Sequence, residues 1–292
     1  MAQTITVLSQ KGGTGKTTTV RTLTDAFRRR GLHTLTIDLD PQGNLSDYFD
    51  LATSDPTIAD VLCGRSRAVE AISRDLISAN ITLAEVELRL AGKMGRELSL
   101  RRALAGVTDD YELILIDCPP SLGLLTVNAL VAYDRALITA EAQYFSLRGV
   151  EQAMEVVELA RDTLNPNLSV LGVLLNRADM RTIHSRKAFA SLGERYGPKA
   201  FKTVVRSSIA YAESAQRSRS ILDYRPDLGQ DYLALASEVL ARLPALRPAP
   251  EPAVRFVLAR AGEGAYGQDA PRRHDAPRRP SPAGLSPAGS ST

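Results

Sequence analysis

Cysteine is scarce in this sequence of 292 residues, which contains only Cys63 and Cys118. Their spacing matches no common metal-binding pattern, and so few cysteines argue against a disulfide framework. The sequence also lacks any run of about 18 apolar residues, which argues against a helix that spans a membrane. Its beginning shows neither the charged nor the apolar region of a signal peptide. These absences predict a protein of the reducing cytoplasm.

Net charge is small and unevenly distributed. The total is +3, and it lies entirely in residues 245–292, which hold seven arginines and four acidic residues. Residues 1–244 carry no net charge, so any nucleic-acid site on them must be a local patch. The last segment also contains eight of the 16 prolines and too few apolar residues to order itself. We therefore expect an ordered domain over residues 1–244 and a disordered tail over residues 245–292.

The most informative stretch is QKGGTGKTT, at residues 10–18. Before it, apolar residues predict a buried strand: Ile5, Val7 and Leu8. After it, apolar residues at helical spacing predict a helix packed on that strand: Val20, Leu23, Ala26 and Phe27. Strand, glycine-rich turn and helix form the context that a phosphate-binding loop requires. The loop N–H groups and the positive end of the helix would bind phosphate oxygens.

This loop supplies most of the predicted nucleotide site. Lys16 would contact the β- and γ-phosphates, the Thr17 hydroxyl would bind Mg²⁺, and Thr18 would contact the α-phosphate. The predicted cofactor-binding residues of the loop are Lys11, Gly12, Gly13, Thr14, Gly15, Lys16, Thr17 and Thr18.

Acidic residues end two of the predicted strands. Asp38 and Asp40 close the stretch LHTLTIDLD at residues 32–40, and their spacing places both side chains on one face. Asp117 follows the apolar run at residues 113–116, as a Walker B acid does when it holds Mg²⁺. These patterns predict Thr17 and Asp117 as metal ligands, and the family resemblance described below implies that Asp38 also lies near the metal.

The loop departs from the usual phosphate-loop pattern in one respect. Gln10 replaces the first glycine, and Lys11 follows it. This KGGTGKT form resembles the deviant loop of the ParA/MinD family of P-loop ATPases, and the ParA/Soj partition group in particular. The segments DLDPQGN and LILIDCPP resemble two further motifs of that family. The resemblance covers roughly Thr4 to Leu243.

The resemblance implies a fold and a mechanism. The fold would be an α/β P-loop NTPase, with a mostly parallel sheet between two layers of helices. Two subunits would enclose two ATP molecules with Mg²⁺, and Lys11 of each would contact the other's phosphates. Lys11, Lys16 and Asp40 would be catalytic, with Asp40 orienting the attacking water, and Asn176 would contact adenine.

The resemblance also implies partners. A weak ATPase of this kind would form an ATP-dependent homodimer, bind nonspecific DNA and be stimulated by a ParB-like protein. It would partition a plasmid or chromosome and associate with the nucleoid in the cytoplasm.

A basic stretch supports the DNA interpretation. Residues 177–219 contain ten lysines and arginines but only three acidic residues. This concentration favours a phosphate-rich partner, contacted through its backbone without sequence preference. The first candidates for DNA contact are Arg206, Arg217 and Arg219. By contrast, the run Arg28-Arg29-Arg30 is predicted only to close the first helix, with Gly31 as its end.

Two alternatives remain open from the sequence. A MinD-like ATPase would position cargo on a membrane or protein assembly, through an amphipathic helix for which residues 254–261 are a weak candidate. A nitrogenase-type iron protein shares the deviant loop but needs cluster-binding cysteines, for which Cys63 and Cys118 are poorly placed.

Overall fold

Eight strands form one central sheet in this computed structural model, which describes residues 2–132, 134–142 and 146–246. The strands are β1 (Gln3–Leu8), β2 (Thr34–Asp38), β3 (Ile72–Ser73), β4 (Leu76–Ile77), β5 (Leu113–Asp117), β6 (Arg135–Glu141), β7 (Ser169–Ala178) and β8 (Ala200–Arg206). Their order across the sheet is β3–β4–β2–β5–β1–β6–β7–β8. Each described pair is parallel except β3–β4, which is antiparallel.

Helices cover both faces of this sheet. The described α-helices are α1 (Lys16–Arg28), α2 (Asn44–Tyr48), α3 (Ile58–Cys63), α4 (Thr82–Ala91), α5 (Ser99–Leu104), α6 (Leu124–Ala132), α7 (Ser146–Thr163), α8 (Ile183–Tyr196), α9 (Ala210–Gln216), α10 (Ile221–Tyr224) and α11 (Pro226–Arg242). One apolar cluster joins the sheet to α3–α8, and the other joins it to α1, α2 and α9–α11. This arrangement confirms the predicted three-layer α/β fold.

Strand β5 illustrates why the sequence folds in this way. Leu113 and Leu115 pack in the cluster with α1, whereas Ile114 and Ile116 pack in the opposite cluster. All four side chains are fully buried. Each such burial stabilises the fold by roughly 1.5–3 kcal/mol. A strand covered on both faces has no polar alternation, which is why its sequence is continuously apolar.

The parallel strands bring their carboxyl ends to one edge of the sheet. Asp38 of β2 lies opposite Asp117 of β5, and Asp117 lies opposite Val7 of β1. On the other side, Glu141 of β6 lies opposite Asn176 of β7. The predicted acids and the loop that follows β1 therefore meet at this edge, where open α/β sheets bind ligands.

Some predicted boundaries differ from the structure. Strand β2 ends at Asp38 rather than Asp40, because the Asp38 carboxylate accepts a 3.1 Å hydrogen bond from the Asp40 N–H and turns the chain. Strand β8 was not predicted, since its segment was interpreted only by its charge. The short strands β3 and β4 lie between β2 and β5 in the sequence and extend the sheet beyond β2.

The arginine run at the end of α1 needs a correction. The helix does end at Arg28, and Gly31 has the positive φ of 79° expected of a helix stop. However, Arg28 donates to the carbonyls of Thr34 and Asp75, and Arg29 pairs with Asp223 at 2.7 Å. The run therefore joins α1 to distant parts of the chain and does more than close the helix.

The described residues belong to one compact unit, Met1–Ala253. The predicted tail lies outside the described residues from position 247 onward, as does the candidate amphipathic stretch 254–261. Among the helices of the described part, none is both long enough and apolar enough to cross a bilayer.

Candidate functional site

The glycine-rich loop turns directly into α1. Gly15 precedes the helix with φ 82° and ψ 24°, a left-handed conformation that side chains disfavour. A Cβ atom on Gly15 would also lie only 2.5 Å from the Asn176 amide nitrogen. No side chain caps the start of α1, so its first N–H groups face the pocket without an internal partner. These groups are the donors that a phosphate chain requires.

The two lysines of the loop occupy different environments. Lys16 is 6% exposed, and its Nζ lies 3.2 Å from both Ser9 Oγ and the Lys11 carbonyl oxygen. Burial lowers the pKa of Lys16, although the nearby Asp117 opposes that shift. Lys11 is exposed and does not line the pocket that contains Lys16. One loop thus provides one inward and one outward cation.

The pocket beside the loop has a volume of about 1010 Å³. Its lining combines the loop with the ends of several elements, and includes Gly12, Gly13, Gly15, Lys16, Thr17, Thr18, Asp40, Asn176, Arg177, Tyr211 and Tyr232. The structure therefore brings together most of the predicted nucleotide-binding residues. Thr14 is an exception among them, because its side chain is buried beneath the loop.

Asp117 is the clearest candidate metal ligand. It is fully buried, and neither carboxylate oxygen meets the geometry of a hydrogen bond, although the Thr17 side chain lies close enough to lower its pKa. Burial and the neighbouring Asp38 nevertheless raise the pKa of Asp117 well above its usual range. A buried carboxylate without a partner is costly unless a cation neutralises it. Thr17 and Asp117 therefore fit a divalent cation.

Protein ligands alone do not complete that site. Within the described residues, no three His, Cys, Asp or Glu side chains cluster so as to hold a metal. A Mg²⁺ ion keeps several waters and commonly takes phosphate oxygens as ligands beside one or two carboxylates. The donor set thus suits a cation that arrives together with a phosphate chain.

Asp38 and Asp40 have separate roles in the structure. Asp38 is fully buried, and its Oδ2 accepts hydrogen bonds from the Ser46 N–H at 2.9 Å and the Ser46 hydroxyl at 2.7 Å. Burial raises the pKa of Asp38 to about 6. Asp40 lines the pocket, and its Oδ1 accepts from the Gln42 N–H at 3.0 Å. Asp38 therefore ties α2 to the end of β2, whereas Asp40 lines the pocket. The predicted roles of Asp38 at the metal and of Asp40 in orienting water stay predictions.

Two buried hydroxyl networks support the loop from below. The Thr14 hydroxyl lies 2.7 Å from Ser9 Oγ and 2.9 Å from Thr139 Oγ1. The Asn176 amide donates to Thr19 Oγ1 at 3.2 Å and to the Gly15 carbonyl at 3.4 Å. Asn176 thus lies under the loop and also lines the pocket. Its predicted contact with adenine stays a prediction.

Sequence reasoning missed several of these supporting residues. Ser9, Ser46, Thr139 and Tyr232 all lie outside the motifs. In the structure the Tyr232 hydroxyl lies 3.4 Å from Thr19 Oγ1 and lines the pocket. One feature of the sequence could have revealed such residues: a polar residue at a position where the apolar pattern predicts burial. A buried polar side chain needs a hydrogen-bond partner.

The basic stretch at 177–219 is partly neutralised by distant acids. Arg177 pairs with Glu141 at 2.8 Å, and Arg206 pairs with Asp231 at 2.9 Å. Arg195 pairs with Glu151. Counting charges along the sequence could not detect these acids. Arg206 is therefore a weaker candidate for DNA contact than its sequence position suggested.

The other two candidates differ from Arg206. Within the described residues, no carboxylate lies at ion-pair distance from Arg217 or Arg219. Arg217 instead donates to the Glu213 carbonyl at 3.3 Å, and its guanidinium lies over the Tyr224 ring, 5.2 Å from the ring centroid. Arg219 donates to the Asp223 carbonyl at 3.2 Å. Both cations remain available to an anionic partner.

The iron-protein alternative finds no support in the site. Cys118 is fully buried, and burial raises the pKa of its thiol above the ordinary value. Cys63 lies at the end of α3, and both cysteines are free. A buried, protonated thiol is unsuited to bind an exposed cluster.

Comparison with known proteins identifies the family. An AAA domain matches residues 2–170. The sporulation initiation inhibitor protein Soj of Bacillus subtilis is 35% identical over 255 residues, 82% of this chain and 99% of its own length. The chromosome partitioning protein ParA of Caulobacter vibrioides is 35% identical over 252 residues, 82% of this chain and 94% of its own.

A solved structure agrees with these relatives. Cobyrinic acid a,c-diamide synthase from Mycobacterium smegmatis, with bound ADP and magnesium, is 31% identical and has a TM-score of 0.73. The match covers 85% of this chain and 100% of that one. Together with the deviant loop and the acids at the sheet edge, these matches establish that the chain belongs to the ParA/MinD family of P-loop ATPases, in its ParA/Soj partition group.

Proposed function

We propose that this protein is an ATP-dependent dimerising ATPase that binds nonspecific DNA in its ATP state and partitions a plasmid or chromosome. The observation that carries the proposal is the outward position of Lys11 beside the inward Lys16, in one phosphate-binding loop. A lysine in a glycine turn has little to pack against, and an outward cation next to a phosphate site can serve a second subunit. The names of the Soj and ParA relatives support the biological role.

In the proposed mechanism, each step of hydrolysis depends on particular residues of the pocket. Lys16 and the first N–H groups of α1 hold the phosphate chain of ATP and neutralise charge that develops on it. Thr17 and Asp117 would hold Mg²⁺, which would supply charge neutralisation on the phosphate chain when bound. Asp40 lines the same pocket and orients the attacking water. Lys11 of a second subunit completes the charge around the γ-phosphate.

The partner and cellular location follow from this cycle. Two subunits joined by ATP would present doubled basic surfaces, so affinity for DNA would rise steeply with the number of phosphate contacts. Hydrolysis would separate the subunits and release DNA. A ParB-like protein bound to the cargo would stimulate this step, and the ATPase would lie in the cytoplasm on the nucleoid.

Dimerisation tests the proposal directly. Purified protein is given a nonhydrolysable ATP analogue with magnesium, and its mass is measured by size-exclusion chromatography with light scattering. We expect a monomer without nucleotide and a dimer with the analogue. A chain that stays monomeric with saturating analogue and magnesium would contradict the proposal.

Co-sedimentation shows whether the ATP-bound protein binds DNA or a membrane. The ATP-bound protein is mixed in parallel with random-sequence duplex DNA and with vesicles of anionic phospholipid. We expect pelleting with DNA only. Pelleting with vesicles but not with DNA would favour the MinD-like alternative, whose candidate helix at 254–261 lies outside the described residues.

A further inference from the structure

A second cleft, separate from the nucleotide pocket, is lined by arginines from distant parts of the chain. Its volume is about 650 Å³. Four arginines line it: Arg21 and Arg28 from α1, Arg74 from the β3–β4 turn, and Arg217 from the end of α9. The acidic residues that line it are Asp25 and Asp50. No motif places these arginines together, since they span almost two hundred residues of sequence.

Most of this positive charge lacks a close carboxylate partner. Arg28 donates to the carbonyl oxygens of Thr34 at 3.0 Å and Asp75 at 2.8 Å, and within the described residues no carboxylate pairs with it. Arg74 lies 4.0 Å from the nearest Asp50 carboxylate oxygen, at the limit of an ion pair. Arg217, as above, contacts a carbonyl and a ring. Carbonyl partners orient a guanidinium without cancelling its charge.

Several exposed arginines elsewhere in the described chain have a close carboxylate partner. Arg65, Arg67 and Arg225 each have a carboxylate oxygen within 2.9 Å. Arg177 and Arg206, in the basic sequence run, are paired in the same way. The cleft therefore brings together arginines with few close carboxylate partners, and one of them, Arg217, belongs to the basic run that the sequence emphasised.

Arg21 gives the cleft a fixed inner surface. It is 8% exposed, pairs with Asp25 at 3.0 Å and donates to the Tyr48 carbonyl at 2.9 Å. Its guanidinium also lies 3.8 Å from the centroid of the Phe49 ring. The ring face is thus covered, so it cannot stack on a nucleic-acid base. The lining suits anionic groups and offers no aromatic platform of the kind that binds bases.

We propose that this arginine cleft binds phosphate groups of the DNA backbone. The inference rests on the proposed DNA binding and gives it a location. Arg28 and Arg217, which pair with no carboxylate among the described residues, and Arg74, which lies 4.0 Å from Asp50, can donate to phosphate oxygens, as arginine does at such sites. The cleft is open, as a polymer backbone requires, and its chemistry reads no base sequence.

The position of the cleft also links it to the nucleotide. Asp47 and Tyr48 line the nucleotide pocket, whereas the next residues, Phe49 and Asp50, line the cleft. Ser218 lines both, and its hydroxyl donates to the Asp47 carbonyl at 3.1 Å. A change in α2 on nucleotide binding would therefore alter the cleft and would make DNA affinity depend on ATP.

The test compares the salt dependence of DNA binding between matched arginine variants. Protein saturated with a nonhydrolysable ATP analogue is titrated with a fluorescent random-sequence duplex over a range of salt concentrations. Arg74→Ala and Arg217→Ala alter exposed side chains of the cleft, and Arg67→Ala alters an exposed arginine paired with Glu70 outside it. We expect each cleft variant to lower the salt slope by about 0.9, and affinity by about eightfold at roughly 0.1 M salt. Arg67→Ala should change neither.

A parallel titration identifies the source of the phosphate. The same analogue-saturated proteins are titrated with inorganic tripolyphosphate, which cannot then occupy the nucleotide pocket. If the cleft variants bind tripolyphosphate more weakly than wild type but keep wild-type DNA affinity, the cleft binds a soluble polyphosphate. The assignment of the cleft to DNA is then overturned. The proposal is also overturned if the cleft variants and Arg67→Ala have the same salt slope while Arg206→Ala has a lower one. That result would place the DNA contact near Arg206 and not in the cleft.

Failure of the proposed function gives a different result. Wild-type protein that binds no duplex with or without the analogue would contradict DNA binding itself. In that case loss of tripolyphosphate binding in Arg217→Ala would still support a phosphate-binding cleft, whereas its retention would exclude one.

Discussion

Tyr48 and Ser214 share a buried hydrogen bond, although they are 166 positions apart in the sequence. Tyr48 ends α2, which follows the acids of β2, and Ser214 lies in α9, next to the arginine cleft. The Ser214 hydroxyl donates to the Tyr211 carbonyl at 3.0 Å, so Tyr48 is the donor in the shared bond. This bond joins the segment that lines the nucleotide pocket to the segment that carries Arg217.

Tyr48→Phe should weaken the coupling between nucleotide and DNA. Removing the donor loses one buried hydrogen bond, and we expect the free energy of unfolding to fall by about 1 kcal/mol. ATP binding should persist, because the loop is intact, but the ratio of DNA affinities with and without ATP should fall. Fluorescence anisotropy in both states measures this ratio. Tyr196→Phe is the control, since that hydroxyl has no hydrogen-bond partner in the described residues, and a wild-type ratio in Tyr48→Phe would contradict the coupling.

Lys11→Ala should separate ATP binding from dimerisation. Lys16 and the loop remain in place, so ATP should bind with near-normal affinity. The dimer should lose charge-assisted contacts across its interface, weakening by about 2 kcal/mol or more. Light scattering with a nonhydrolysable analogue and magnesium measures the mass. Lys93→Ala, at an exposed lysine after α4, should dimerise as wild type does, and an analogue-dependent dimer of Lys11→Ala would remove the lysine from the interface.

Asp40→Ala should bind ATP and dimerise but hydrolyse slowly. Loss of the group that orients water should lower turnover by about a hundredfold or more. Release of phosphate measures turnover. The time for which the protein stays bound to DNA measures how long the ATP-bound dimer persists. Asp162→Ala changes an exposed carboxylate that pairs with Arg161 and should leave both unchanged. Wild-type turnover in Asp40→Ala would exclude a catalytic role for that residue.

Asp117→Asn should weaken the response to magnesium without weakening the fold. Neither oxygen of the buried carboxylate meets the geometry of a hydrogen bond in the described residues, so replacing it by an amide removes a buried charge that is poorly compensated. We expect the nucleotide-free variant to unfold at a denaturant concentration no lower than wild type. Calorimetry should detect little gain in ATP affinity when magnesium is added. Normal magnesium dependence would rule out Asp117 as the metal ligand.

Glu238→Gln should flatten the acid side of the stability profile. Burial alone would raise the pKa of Glu238, but hydrogen bonds from the N–H groups of Lys202 and Thr203, together with Arg242, outweigh burial and lower it. A lowered pKa stabilises the fold above the ordinary carboxyl pKa, and this contribution is lost as pH falls through the folded-state value. Urea unfolding over a pH series should therefore show a shallower acid decline in the variant, with Glu155→Gln as an exposed control. Parallel profiles for wild type and Glu238→Gln would contradict this.

Local patterns were sufficient to predict much of the fold and the chemistry. Lys16, Thr17 and Asp117 were predicted because a loop between a strand and a helix, and an acid after an apolar run, are features of adjacent residues. The core strands β1, β2 and β5 followed from their apolar runs. Their parallel packing then had to bring Asp38 and Asp117 to one edge.

Long-range contacts were beyond the sequence patterns. The run Arg28-Arg29-Arg30 was interpreted as a helix end, and the basic run at 177–219 was interpreted without its distant acids. Only packing could reveal that Asp231 neutralises Arg206 while Arg28 and Arg217 share a cleft.

The sequence by itself determined the phosphate-binding loop, the acid at the end of β5 and the parallel sheet, because each depends on neighbouring residues and on burial along one strand. The tertiary structure alone decided which cations stay uncompensated and which helices are coupled. The physical reason is that an ion pair or a buried hydrogen bond depends on distance in space, and residues such as Tyr48 and Ser214 become neighbours only when the sheet and its helices have packed.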